Sequence, residues 1–193
     1  ISLFCLLAAI AISLAGCSTS AQSKARYLEQ GQKYLKESKF QEASLEFRNA
    51  IQIDDKLGEA HWGLAQAYEG LQRYNEMVDE MRKTVALDPN NLDARLKLGN
   101  VYLNGSQGRA DIIAESEKLA KEVLQKDPNN IEGHILMGSV FFAQHQKDKA
   151  FEELNHAVRL DPNRIESYLS LARFHVVNKE LDKAEALFKK AIS

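Results

Sequence analysis

Apolar positions along this chain follow two regimes. From residue 1 to 15 there is no charge: Ile-Ser-Leu-Phe-Cys-Leu-Leu-Ala-Ala-Ile-Ala-Ile-Ser-Leu-Ala. From about residue 24 onward apolar residues recur at helical spacing between polar breaks. Tyr27, Gly31 and Tyr34 form one set, Glu37-Ser38-Lys39 interrupts it, and Ala43, Phe47 and Ala50 form the next. Steps of three and four residues put each trio on one helical face, which predicts two helices joined by a short turn.

The pattern repeats. Leu87-Asp88-Pro89-Asn90-Asn91-Leu92 returns as Lys126-Asp127-Pro128-Asn129-Asn130-Ile131 and as Leu160-Asp161-Pro162-Asn163-Arg164-Ile165, and these sites hold all three prolines. The last two are 34 residues apart and the first two 39. A period in the range of roughly 20 to 50 residues marks stacked repeats rather than one closed domain. Stepping outward from the prolines by 34, with 39 across the first two, predicts units beginning near Lys24, Gly58, Leu92, Ile131 and Ile165, the last incomplete at Ser193. Pro89, Pro128 and Pro162 cannot continue a helix. The asparagines after them are expected to cap the next one, with Asn90 and Asp93, Asn129 and Glu132, Asn163 and Glu166 at capping-box spacing.

Residues 24–193 resemble the tetratricopeptide repeat family, whose pattern runs aromatic, Leu-Gly, Tyr, then Ala-x₃-Phe, then Pro. The second unit supplies Trp62, Leu64-Ala65 and Tyr68, and the third Leu98-Gly99 and Tyr102. The fourth supplies Met137-Gly138, Phe141, Ala150, Leu154, Ala157 and Pro162, and the fifth Leu171-Ala172, Ala184, Phe188 and Ala191. The resemblance implies an all-α tetratricopeptide solenoid, a right-handed superhelix of antiparallel helix pairs. Gly31, Ala65, Gly99, Gly138 and Ala172 allow close helix approach, and Tyr34, Tyr68, Tyr102 and Phe141 fill the space beside them. Three departures stand out. Unit one ends at Asp54-Asp55 without proline, unit two carries Met77, Met81 and Thr84 in its second helix, and unit three has five extra residues around Asn104-Gly105-Ser106-Gln107-Gly108-Arg109. The last is expected to lengthen a turn, since it lacks the Lys-Ser/Thr of a phosphate loop.

The first apolar run is too short for the roughly 20 residues of a membrane-spanning helix and matches a signal-peptide core. Leu14-Ala15-Gly16-Cys17 follows, and resembles the lipobox of bacterial lipoproteins. That resemblance implies a signal peptide over 1–16 (lacking its first residues), a lipidated Cys17 and a flexible tether over 17–23 before the repeats at 24–193. Cys5 would leave with the signal, so no thiol would remain for a disulfide. Ser18 rather than Asp after the cysteine is similar to outer-membrane sorting, with the domain facing the periplasm.

Composition is that of an ordinary globular chain, 45% hydrophobic and 27% charged. The net charge of -2 arises from 25 bases and 27 acids spread along the chain, with no polybasic stripe for nucleic acid. The five histidines, His61, His134, His145, His156 and His175, form no zinc motif, so no metal is expected. His175 stands at a Tyr or Phe position and is expected to be a packed structural histidine. Acids beside lysines, as at Glu115-Ser116-Glu117-Lys118 and Asp182-Lys183-Ala184-Glu185, are expected to be surface pairs. Neither a nucleophile elbow nor a dinucleotide fingerprint is present, so neither an enzyme nor a cofactor is expected.

In the family the first helix of each pair lines a concave groove that holds a peptide or helix. Carried onto this chain, the first row is Leu28, Trp62, Leu96, Ile135 and Leu169, and the next Gln32, Gln66, Asn100, Ser139 and Arg173. A third is Leu35, Glu69, Leu103, Phe142 and Val176. The expected function is a non-catalytic, membrane-anchored scaffold that binds other proteins. It is similar to the large tetratricopeptide lipoproteins of exopolysaccharide-export and protein-sorting loci. The alternatives are a pilus or outer-membrane assembly lipoprotein, or the N-terminal arm of a longer envelope enzyme such as a glycosyltransferase or peptidase. The apolar end formed by Phe188, Ala191 and Ile192 is expected to meet further chain beyond Ser193.

Overall fold

A computed structural model of the chain describes residues 20–192. The expected signal peptide, Cys17 and the first residues of the tether lie outside them. Ten helices and no strand occur among the described residues. They fall into two compact units, one ending at Asn91 and one beginning at Leu92.

The first unit holds α1 (20–36), α2 (Phe40–Ile53), α3 (Gly58–Gly70) and α4 (Tyr74–Leu87). The tether is corrected here, because residues 20–23 are already helical. Ala21 and Gln22 are good helix formers, and extending an established helix costs far less than nucleating one. Phe47 of α2 is the centre of this unit, with 0% exposure. It lies against two glycines: a Cβ added at Gly31 would fall 2.8 Å from its ring and one at Gly63 only 2.3 Å. Met77, Met81 and Thr84 are also buried, so the departures in α4 are core substitutions.

The second unit holds α5 (Leu92–Gly105), α6 (Ala110–Lys126), α7 (Ile131–Ala143), α8 (Lys147–Leu160), α9 (Ile165–Val177) and α10 (Leu181–Ala191). Its core is built from Leu96, Ile113, Val123, Leu136, Met137 and Val140 of α5 to α7. A second cluster joins Ala150 and Leu154 of α8 to Leu171 and Phe174 of α9. The insertion in unit three lengthens the turn by little. Its main effect is on α6, which has 17 residues against 14 in α2, α4 and α8. Apolar spacing continues through Ile112 and Ile113, so the extra residues add a turn of helix instead of slack.

Two kinds of turn alternate. Within each hairpin one non-glycine residue takes positive φ: Ser38, Gln72, Gln107, His145 and Lys179. Around them Arg73 N donates to Tyr68 O at 2.8 Å and Gln146 N to Phe141 O at 2.8 Å, the long bond of a Schellman ending. Between hairpins the aspartate shapes the turn. Asp88, Asp127 and Asp161 each accept from the backbone N–H two residues on, at 3.0, 3.2 and 3.0 Å. Asp54 does the same for Lys56 at 3.1 Å, which is why unit one turns correctly without proline. The capping register is therefore corrected. Asn129 gives its N–H to this Asx turn, and the cap of α7 is Asn130, whose Oδ1 accepts from Gly133 N at 2.9 Å. At α9 the same position is Arg164, which has no capping oxygen and bonds Glu132 instead.

Candidate partner-binding surface

The groove residues expected from the sequence lie on α1 and α3 in one unit and on α5, α7 and α9 in the other. On α3, Trp62, Gln66 and Glu69 are spaced by four and three residues, share a face, and are all half-buried. Leu28, Gln32 and Leu35 do the same on α1. The amides of Gln32 and Gln66 make no hydrogen bond to any described residue, so each can donate and accept toward a guest.

In the second unit the row grades from buried to open. Leu96 is 8% exposed and belongs to the core, not to an open surface. It is buried in one cluster with Ile113, Val123 and Leu136 of α6 and α7. Ile135 is half-buried against the α8–α9 cluster, and Leu169 is 40% exposed. The polar row is partly tied to its own helices: Asn100 Nδ2 donates to Leu96 O at 2.9 Å and Ser139 Oγ to Ile135 O at 2.8 Å. Arg173 is exposed and forms no ion pair with a described residue. In the third row Leu103 is half-buried, Val176 is 42% exposed, and Phe142 meets Phe174 edge to face at 5.6 Å. The α7–α9 face therefore offers Ile135, Phe142, Leu169 and Val176 around the cation of Arg173.

Histidine pairing was not foreseen. His61 Nδ1 lies 2.5 Å from Glu80 Oε2, and His134 Nδ1 lies 2.6 Å from Glu153 Oε2. The legible signal was a histidine followed 19 residues later by a glutamate in two units. His175, 5% exposed, is buried as expected. His156 packs edge-on against His134 at 4.5 Å. Burial, and then the neighbouring His134 and Arg159, hold the pKa of His156 below its ordinary value. The acids at Glu117 and Glu185 pair with Lys121 and Lys189 one turn along, at 2.5 and 2.6 Å. Among the described residues no group of three or more His, Cys, Asp or Glu is placed to hold a metal. No described helix is long and apolar enough to cross a membrane.

Comparison with known proteins agrees with this architecture. Tetratricopeptide repeat family descriptions match residues 58–91 and 135–193. Human sperm-associated antigen 1 is 30% identical over 92 residues, covering 47% of this chain and 10% of that protein. The chain thus spans about a tenth of the length of this curated relative. Among solved structures, MamA of Desulfovibrio magneticus RS-1 superposes with a TM-score of 0.73 at 22% identity, covering 88% of this chain and 93% of that one. Pseudomonas aeruginosa pilF gives 0.70 at 21%, covering 90% and 78%. YrrB, described as a TPR protein with an unusual peptide-binding site, gives 0.67 at 17%, covering 86% and 83%. Helix pairs of 34-residue period, closed by Asx turns and packed through glycine contacts, together with these matches, show that the chain carries tetratricopeptide repeats at residues 58–91 and 135–193 within an all-helical repeat fold.

Proposed function

We propose that this chain is a non-catalytic scaffold of the bacterial cell envelope that holds a peptide or helix of a partner protein against the first helices of its repeats. The observation that carries this reading is the combination on α3 of a half-buried Trp62 with the unbonded amide of Gln66 one turn away. A large rigid ring beside a group that both donates and accepts suits an apolar side chain next to peptide backbone. Ile135, Leu169 and Arg173 offer the same mixture in the second unit. The peptide-binding site named for YrrB belongs to a protein of this fold and supports the reading by analogy.

The scaffold is tethered to the outer membrane, facing the periplasm, through a lipid on Cys17. The support is Leu14-Ala15-Gly16-Cys17 directly after an uncharged run, with Ser18 following. Two or more acyl chains there would hold the domain stably, whereas one would hold it only marginally.

Each half has its own test. Labelled palmitate should enter the wild type and not Cys17→Ala; equal labelling overturns the anchor. Photo-crosslinking residues at positions 66 and 173 should capture one shared partner that a crosslinker at exposed Lys118 does not. Equal capture from all three positions overturns the binding face.

A further inference from the structure

Of the acidic, basic and imidazole side chains on α7 and α9, all but one are answered within the chain. Glu132 bonds Arg164, and Glu166 lies 3.5 Å from the same guanidinium. His134 and His175 meet Glu153 and Glu180 at 2.6 and 2.5 Å. The exception is Arg173, which is exposed and has no ion pair with a described residue. In its row the other repeats place the neutral Gln32, Gln66, Asn100 and Ser139.

The surroundings of this cation are apolar. Residues three and four positions away are its neighbours on a helix surface, and for Arg173 these are Leu169, Ser170, Val176 and Val177. Leu169, Val176 and Val177 are 40, 42 and 57% exposed, and the Ser170 hydroxyl donates to Glu166 O at 2.8 Å. On the adjacent α7, Ser139 likewise donates to its own helix at Ile135 O. The core is held from elsewhere on α9, through Leu171 and Phe174. An uncompensated positive charge therefore stands in the middle of an apolar face.

That combination specifies a guest. A guanidinium is planar and pairs a carboxylate through two parallel hydrogen bonds. Its apolar neighbours lie about one turn to either side, since Leu169 and Val176 are separated by about 10.5 Å along the helix axis. A guest helix laid along α9 has the same rise. An acid on it, with apolar residues three or four positions before and after, meets all three sites at once, whereas same-face residues of a strand step by about 6.6 Å and fall out of register. Apolar side chains covering the pair also shield it from water, which strengthens the attraction.

We propose that the α7–α9 face receives an amphipathic helix of a partner protein, with an aspartate or glutamate of that helix paired to Arg173 between apolar residues that cover Leu169 and Val176. The proposal gives the partner chemistry of the binding face described above and rests on that reading.

The test uses the full chain and labelled alanine-rich peptides of about 18 residues, long enough to form a helix and capped at both ends so that the termini carry no charge. Each contains Leu-x-x-x-Z-x-x-Leu, with Z as Glu, Gln or Lys. By fluorescence anisotropy at low salt the Glu peptide should bind about tenfold more tightly than the Gln peptide, with the Lys peptide weakest, and the gap should narrow as salt rises. Arg173→Gln, at an exposed position, should bind the Glu and Gln peptides alike, at the wild-type affinity for Gln. Arg173→Glu should invert the order and prefer Lys, which a merely structural loss would not do. Equal affinity of the wild type for the Glu and Gln peptides overturns the pairing and leaves the apolar face standing. A preference for Glu that survives in Arg173→Gln overturns it as well, because the cation then lies elsewhere. Failure of every peptide to bind also overturns it, and only failed crosslinking at positions 66 and 173 takes the binding face down with it.

Discussion

His61 and Glu80, 19 residues apart, meet through a 2.5 Å contact between Nδ1 and Oε2, with both side chains buried. The ring's other nitrogen lies 3.0 Å from Asp55 O. One imidazole therefore ties the turn before α3 to the middle of α4. His134 repeats the arrangement between Pro128 O and Glu153. Because Glu80 is 8% exposed, His61→Ala leaves a buried carboxylate with Lys83 as its remaining charged partner. The expected cost is about 1.5–3 kcal/mol, the scale of a hydrogen bond to a charged group, measured as the shift in urea midpoint.

The same pair makes stability depend on pH. The bond to Glu80 raises the pKa of His61, burial opposes it, and Asp55 O adds to it. Burial alone would raise Glu80, but the bonds from His61 and Lys83 outweigh it and leave the carboxyl below its ordinary value. His61 therefore contributes stability that is full below its unfolded pKa of about 6.5 and is lost as pH rises through the raised folded value. Glu80 contributes stability present above its unfolded pKa of about 4.3 and lost as pH falls through the lowered one. The pair's contribution should peak between about pH 4.3 and 6.5 and decline on the alkaline side. Urea melts at several pH values should show the alkaline decline in wild type and a flatter profile in His61→Gln. A wild-type stability that climbs from pH 6 to 9 would contradict this.

The hairpin turns hold avoidable strain. Gln72, His145 and Lys179 have φ of 59, 61 and 62°, where a Cβ crowds the backbone. Glycine removes that crowding and loses part of the gain to its greater freedom when unfolded. Gln72→Gly and His145→Gly should each stabilise the fold by about 0.5–1 kcal/mol. Calorimetry reads this directly, and an unchanged or lower melting temperature would show that the side chains make compensating contacts.

The helix plan was legible because aspartate turns and helical spacing act locally. Gly58, Leu92, Ile131 and Ile165 open helices where the 34-residue period and the five-residue insertion in unit three put them. What escaped depended on neighbours in space or on one-residue register. Asn129 and Asn130 are chemically identical, and only the Asx turn from Asp127 decides which one caps. Leu96 shares its row with the open Leu169, yet is covered within the core of α5 to α7. Periodicity shows which side of a helix is apolar, not how deeply it is packed.

The partner-binding face predicts a split between affinity and stability. Trp62→Ala should weaken capture of the partner by about 2 kcal/mol or more, as a hot-spot truncation does. Gln66→Ala should cost about 1 kcal/mol of affinity with little change in stability, since its amide bonds nothing in the free chain. Asn100→Ala should behave differently, losing stability as well, because its amide already serves Leu96 O. Tyr68, 7% exposed, is the control, and Tyr68→Ala should cost about 3–5 kcal/mol of stability. Should Trp62→Ala lower the melting temperature as far as Tyr68→Ala and still capture the same partner, the ring is packing and the face lies elsewhere.

Gly63 and Phe47 test the repeat packing itself. A Cβ at position 63 would sit 2.3 Å from two atoms of the Phe47 ring, and that ring, fully buried, has no free space to move into. Gly63→Ala improves intrinsic helix propensity by up to about 1 kcal/mol, so local preference and packing pull in opposite directions. Packing should win: inserting a methyl into a filled core typically costs about 1–3 kcal/mol. Phe47→Leu alone should also destabilise, since it empties part of the same space. Combined, each change relieves the other, and the double variant should be more stable than the sum of the two losses requires. Chemical denaturation of the four proteins gives the coupling. Additive losses would mean that α2 and α3 move apart to admit the methyl, and that the glycine is not what sets their spacing.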